Sequence, residues 1–119
     1  MKIIKASEVP GNEGPPTMFS GKAIRKGLLG PEPGNPVRVG LVRFEAGVRN
    51  RFHTHSEAQI LYVVEGTGIV ADEKQEYEIP TGTLAYIPAG EVHWHGASAH
   101  SPMAHLTIGT GGDTQIVER

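Results

Sequence analysis

All six histidines of this 119-residue chain fall between positions 53 and 105, and their spacing is the first feature that suggests chemistry. His53-Thr-His55 sets two imidazoles two residues apart. In an extended strand residues i and i+2 share a face, so both rings aim at one point, whereas a helix would separate them. Neutral imidazole is the commonest ligand for borderline divalent metals, and two rings from one strand supply half of a coordination sphere. Glu57 and Gln59 continue the same parity and offer a carboxylate or an amide oxygen as a further ligand. His93 and His95 repeat the two-residue spacing, so His95 is expected to face the interior with His93 while Trp94 faces away. In Met-Ala-His-Leu-Thr-Ile, His105 shares a face with Met103 and Thr107, opposite Leu106 and Ile108. An imidazole with an unperturbed pKa near 6.5 can exchange a proton at neutral pH, which makes His105 a candidate base. His100, in Ser-Ala-His-Ser-Pro, reads as a solvated loop residue.

The elements that must position these side chains are short. Sixteen glycines and nine prolines, spread in small groups, cut the chain into pieces too brief for ordinary helices, and the pattern predicts an all-β fold. Segments 1–36 read as an N-terminal arm with strand-like content at 17–29 that packs on the barrel, and 37–119 as the main barrel of a single domain. From Val37 the apolar residues alternate, with a change of parity at Leu41-Val42 that suggests a bulge. Further strands are expected at 59–65, 67–71, 75–79, 83–87, 92–95, 103–108 and 114–117, with Glu65-Gly-Thr-Gly68 and Asp72-Glu-Lys74 as hairpin-like breaks.

Composition excludes several partners. Eleven basic and thirteen acidic residues, for a net charge of -2 and no basic cluster, leave no footprint for nucleic acid or an anionic membrane. There is no cysteine, hence neither a disulfide framework nor a thiolate zinc site. With no apolar run long enough to span a membrane and no leader-like start, the expectation is a cytoplasmic protein.

A wider pattern joins the histidines. Gly47, five residues, His53, one, His55, three, Gln59, six, Gly66 is followed fifteen residues later by Gly82, five residues, Pro88, one, Gly90, two, His93. These blocks resemble the two motifs of the cupin superfamily. The resemblance implies a double-stranded β-helix, a small antiparallel jelly-roll barrel, with His53, His55, Gln59 and His93 as ligands of a divalent metal in its mouth. Phe52-His-Thr-His55 with Gln59, Gly90-Glu-Val-His-Trp-His-Gly96 and Met103-Ala-His105-Leu further resemble small bacterial cupins that include manganese-dependent hydroxynitrile lyases and carboxymuconolactone-decarboxylase-like relatives. In that group the histidine matching His105 acts as acid and base, so His105 is the expected catalytic residue, with His95 either joining it in catalysis, orienting a ligand, or simply bonding a carbonyl. Manganese is the favoured ion, with iron, nickel and zinc compatible with the same donors.

The sequence departs from the general cupin pattern in two places, Gln59 for the usual glutamate and Ala97 for the usual asparagine. A neutral amide leaves a divalent ion its full charge, which strengthens its action on a bound oxygen and favours non-redox chemistry. The expected activity is therefore metal-assisted carbon–carbon cleavage of a small hydroxylated substrate of the cyanohydrin type. Gly40, Val42, Phe44, Leu61 and Val63 are expected to form a largely apolar pocket wall. No arginine is clearly placed to hold a carboxylate, and Arg49 and Arg51 read as rim or solvated residues. An isomerase of unsaturated sugar acids, an iron dioxygenase and a non-catalytic ligand-binding cupin are the alternatives; the first needs cations such as Arg49 and Arg51 in the pocket. Sheet edges and apolar faces left by so small a barrel, with an arm able to add a strand to a neighbour, predict a homodimer.

Overall fold

A computed structural model describes residues 1–119. Ten strands follow in order: β1 (Asn12–Glu13), β2 (Ala23–Leu29), β3 (Arg38–Phe44), β4 (His53–His55), β5 (Gln59–Ala71), β6 (Glu76–Pro80), β7 (Leu84–Ile87), β8 (Trp94–Ala97), β9 (Met103–Gly109) and β10 (Thr114–Ile116). The only helical turn is a 3-10 segment at Ala6–Glu8, and no helix is long and apolar enough to cross a membrane. Every strand pairing is antiparallel. The main path runs β1-β2-β3-β9-β5-β6, with β7 and β8 also paired to β5 and a separate β10-β4 ribbon.

β5 organises this curled sheet. Gln59 to Tyr62 pair with β7, while Gly68 to Ala71 pair with β8 and Thr67 to Ala71 with β6, so one strand belongs to two layers. The expected break at Glu65-Gly-Thr-Gly68 is instead a kink within the strand, with a register shift between Val63 and Glu65. Gly66 makes it: its φ is +70°, and a Cβ there would collide with the Pro102 carbonyl oxygen. Only a residue without a side chain lets the strand turn at that approach.

The bulge expected at Leu41-Val42 is absent. β3 pairs with β9 over seven consecutive residues without a shift. The parity changes because β3 is apolar on both faces. Gly40, Val42 and Phe44 look inward, while Val39 and Leu41 pair with Ile108 and Leu106 on the outside. β2 pairs with β3 of its own chain, and Phe19 and Ala23 join the core, so the arm's strand is used within the molecule.

That core gathers Phe19, Ala23, Phe44, Val63, Ile79, Ala97 and Met103. Phe44, wholly buried, is its centre, with the Phe19 ring 5.8 Å away on one side and the rings of His95 and His105 at 5.8 and 5.7 Å on the other. The apolar interior therefore ends against a floor of imidazoles.

Candidate metal centre

Two short stretches of backbone bring three of the histidines together. β4 puts His53 and His55 on one face, and His53 exchanges both backbone hydrogen bonds with His93, at 2.9 and 3.1 Å. The ring centroids lie 4.8 Å apart for His53 and His55, 4.3 Å for His53 and His93, and 5.4 Å for His55 and His93. One ligand atom from each ring falls within 4.8 Å of the others, close enough for the three to hold a metal ion.

The outer ring nitrogens fix which atoms look inward. Nδ1 of His53 donates to the Arg51 carbonyl at 2.6 Å, and Nδ1 of His93 donates to the Glu91 carbonyl at 2.9 Å. A carbonyl can only accept, so in a neutral ring Nδ1 carries the proton and Nε2 keeps its lone pair. His55 is held through Nδ1 by Thr114 Oγ1 at 2.9 Å, which explains the use of β10. This is the arrangement by which proteins orient metal-ligating imidazoles. Nε2 of His55, Nε2 of His93 and Oε1 of Gln59 are all buried without a hydrogen-bond partner. Three buried polar atoms gathered without a hydrogen-bond partner make an environment suited to a cation.

Gln59 opens β5 and carries one of these acceptors, whereas Glu57 is exposed in the bend between β4 and β5. The extended parity that would have aimed Glu57 inward is broken by that bend. His100 is exposed, as expected. The remaining two histidines meet behind the cluster. His95 and His105 are buried, with Nδ1 of His95 3.1 Å from Nε2 of His105.

Sequence reasoning missed Asn50, which sets the direction of this pair. Asn50 is 3% exposed, and its Oδ1 accepts the His95 backbone N–H at 2.9 Å. Its Nδ2 must then be the group facing His95 Nε2, at 3.1 Å. Nε2 of neutral His95 accepts, so Nδ1–H donates to Nε2 of His105, and Nδ1–H of His105 turns to the Leu106 carbonyl at 3.2 Å. Asn50 carries no sequence signal for this role, because its bond crosses from the segment before β4 to β8.

Burial lowers the pKa of all five rings below the ordinary 6.5. His53 falls to about 3, chiefly by desolvation, with His93 and His55 adding repulsion and the Arg51 carbonyl opposing it. His105 falls to about 4 by desolvation. His55, His93 and His95 shift the same way for the same leading reason. All five are neutral at pH 7, the state in which imidazole binds metal or accepts a proton.

A cavity of about 590 Å³ opens beside the cluster. His53, His55, Gln59 and His95 face it, with Gly40 and Val42 on the β3 side. The other expected wall residues, Phe44, Leu61 and Val63, are almost fully buried beneath it, because the inner face of the sheet is filled by packing towards Met103. The wall is more polar than expected, with Asn12, Asn50, Thr107, Thr114 and Arg25 among its residues. Arg49 and Arg51 lie elsewhere. The Arg49 guanidinium stacks 3.7 Å over the Trp94 ring on the outer side, and Arg51 pairs with Glu118. The cations required of a sugar-acid isomerase pocket are thus not these two.

A family model described as a cupin domain matches residues 40–109. The chain belongs to the cupin family. This cupin is 33% identical over 120 residues to an (R)-mandelonitrile lyase of Granulicella tundricola, covering 99% of the chain and 91% of that protein. It superposes with a TM-score of 0.85 on a cupin-like protein of Thermotoga maritima at 31% identity, covering 90% of this chain and 84% of the other. A predicted oxalate decarboxylase of Thermotoga maritima shares the fold at a TM-score of 0.82 and 21% identity, over 92% and 99% of the two chains.

Two consequences are measurable. As pH falls, the unfolded cupin takes up protons on its histidines from about 6.5, while the buried rings of the metal-free folded chain do not until far lower, about 4 for His105 and about 3 for His53. The unfolded state binds more protons across that window, so stability falls with falling pH. Urea midpoints of metal-free protein should drop steadily from pH 7 to pH 4; a flat profile would show that the rings protonate freely in the fold. Asn50→Ala removes the acceptor of a buried N–H and should cost about 1 to 3 kcal/mol in urea denaturation at pH 7. A smaller loss would mean that water replaces the amide.

Proposed function

We propose that this cupin is a manganese-dependent lyase that cleaves a small hydroxylated substrate of the cyanohydrin type into a carbonyl compound and cyanide. The unpartnered buried polar atoms of His55, His93 and Gln59 carry the reading, with His53 completing the donor set. Likeness to the (R)-mandelonitrile lyase supports the reaction class. A divalent ion held by these donors supplies a Lewis acid for the negative charge that develops on the substrate oxygen.

The chain supplies the proton chemistry. His95 faces the cavity, and His105 stands behind it with no exposed surface. A proton leaving the substrate hydroxyl is taken by Nε2 of His95 as the Asn50 amide yields it, and the Nδ1 proton of His95 passes to Nε2 of His105. The Leu106 carbonyl holds the other side of the His105 ring in place throughout. The same path in reverse returns the proton to the cyanide leaving group. Burial keeps both rings neutral at pH 7, so the pair starts ready to accept. The neutral amide of Gln59 favours this chemistry over oxygen activation.

Cleavage of racemic mandelonitrile, followed as benzaldehyde release, is the direct test. Manganese-loaded protein should release benzaldehyde above the metal-free background. His53→Ala should abolish the increment through loss of metal, whereas His105→Ala should retain metal and lose at least about 100-fold in rate, the lower end of what a positioned acid–base group contributes. Release no faster than the metal-free background would remove cyanohydrin cleavage from consideration.

The homodimer expected from the sequence has a specific surface in its support. Val39, Ile108, Ile60 and Tyr86 form one cross-strand row on the outside of the sheet, and Leu41, Leu106, Tyr62 and Leu84 form the next. Tyr62, Leu84 and Tyr86 are 39%, 57% and 62% exposed. Two adjacent apolar rows across four strands are more than scattered surface hydrophobics. Sedimentation should give twice the 12.7 kDa chain mass; Tyr86→Glu should return it to the monomer value, and a monomeric wild type would exclude the dimer.

A further inference from the structure

Arg25 is the cation for which the sequence offered no place. It lies on the inward parity of β2 with Ala23, pairs across to Val42, and so continues the row Val42, His105, Val63 over the inner face of the sheet. It borders the cavity that holds the histidines, and its guanidinium lies 5.7 Å from the centroid of the Phe19 ring. Four of the other five arginines are paired or stacked. Arg43 pairs with Glu45 and Glu65, Arg51 with Glu118, Arg119 with Glu73, and Arg49 covers Trp94. Arg38, also without an ion pair or side-chain hydrogen bond, lines an adjoining lobe of the mouth to which Glu57 contributes a carboxylate. Arg25 has no ion pair and no side-chain hydrogen bond in the chain, and no carboxylate borders its lobe. Lys26, its neighbour, spends its ammonium on the Ala6 carbonyl at 2.9 Å.

The charge of the site points the same way. Three imidazoles and an amide are neutral donors, so a divalent ion among them keeps its full charge, and Arg25 adds another on the same wall. A cavity with this balance is complementary to an anion, and the planar fork of an arginine matches a carboxylate with two parallel hydrogen bonds. We propose that the preferred ligand is a small carboxylate that also carries a hydroxyl or carbonyl oxygen, the oxygen turned to the metal site and the carboxylate held by Arg25. This rests on the metal site described above and narrows its substrate class: neutral cyanohydrins fit the same oxygen position but leave Arg25 unused.

Mandelate and its neutral counterpart mandelamide separate the two, since they differ little in shape and by one charge. Calorimetry on wild type, Arg25→Met and the surface control Arg43→Met, each with and without manganese, reads the preference directly. In wild type mandelate should bind at least tenfold more tightly than mandelamide in both states. Arg25→Met should lose at least tenfold in mandelate affinity, keep its mandelamide affinity and keep its manganese affinity, while Arg43→Met behaves as wild type. Equal affinity of wild type for the two ligands, no measurable mandelate binding, or a preference that survives in Arg25→Met would each overturn the assignment. Failure of manganese to bind would instead strike the metal reading, and the metal-free titrations would still decide the role of Arg25.

Discussion

The strands around the mouth serve one constraint: Nε2 of His55, Nε2 of His93 and Oε1 of Gln59 are buried there without a hydrogen-bond partner. Leaving such groups unpaired costs about 1 to 3 kcal/mol each, so a fold that holds them there does so against its own stability. The opposing restraint is the set of bonds on the outer nitrogens, to Arg51, Thr114 and Glu91. These come from β10 and from backbone flanking the histidines themselves. The β10-β4 ribbon, otherwise a marginal pair of three-residue strands, has its physical justification there.

The same economy governs β5. Its first residue, Gln59, reaches the site, its middle residues Leu61 and Val63 fill the floor, and its far end pairs with β8, whose histidine backs the cavity. A straight strand could serve one layer only. The kink at Gly66 lets one segment span both, and the close approach to Pro102 ties that kink to the start of β9, from which His105 extends. Site and core are thus mechanically continuous: Phe44 packs on Phe19 at one side and on two imidazoles at the other.

Much of this was legible in the residues. The strand parity of His53 and His55 needs no tertiary information, and the glycines at 47, 66, 82 and 90 all adopt positive φ, which is why their spacing marks the fold. Reading stopped where a face or a partner depends on another segment. Leu41 and Val42 looked like a bulge because an outer apolar row mimics a change of parity. Gly66 looked like a hairpin because a glycine that permits a kink and one that permits a turn have the same letter. Phe44, Leu61 and Val63 have the inward parity of pocket residues, and only their depth in the sheet makes them floor. Asn50 and Arg25 were out of reach, since each acts through a neighbour distant in sequence, His95 for the first and the Val42 row for the second.

Substitution of an amide for a carboxylate at position 59 connects these observations. A glutamate there would neutralise part of the ion's charge and would itself repel an anionic ligand from the mouth. With Gln59, the donors set no such barrier, and Glu57, the carboxylate lining the adjoining lobe, lies in an exposed bend. The unpaired Arg25 would be costly beside a site of low charge demand only if it were buried; at the open rim, solvent covers it until a ligand arrives. A neutral side chain in the donor set and the free Arg25 guanidinium at the rim therefore act in the same direction. With a divalent ion bound they would leave a positive mouth over a neutral, proton-accepting pair, suited to a ligand that carries an anionic group beside a hydroxyl.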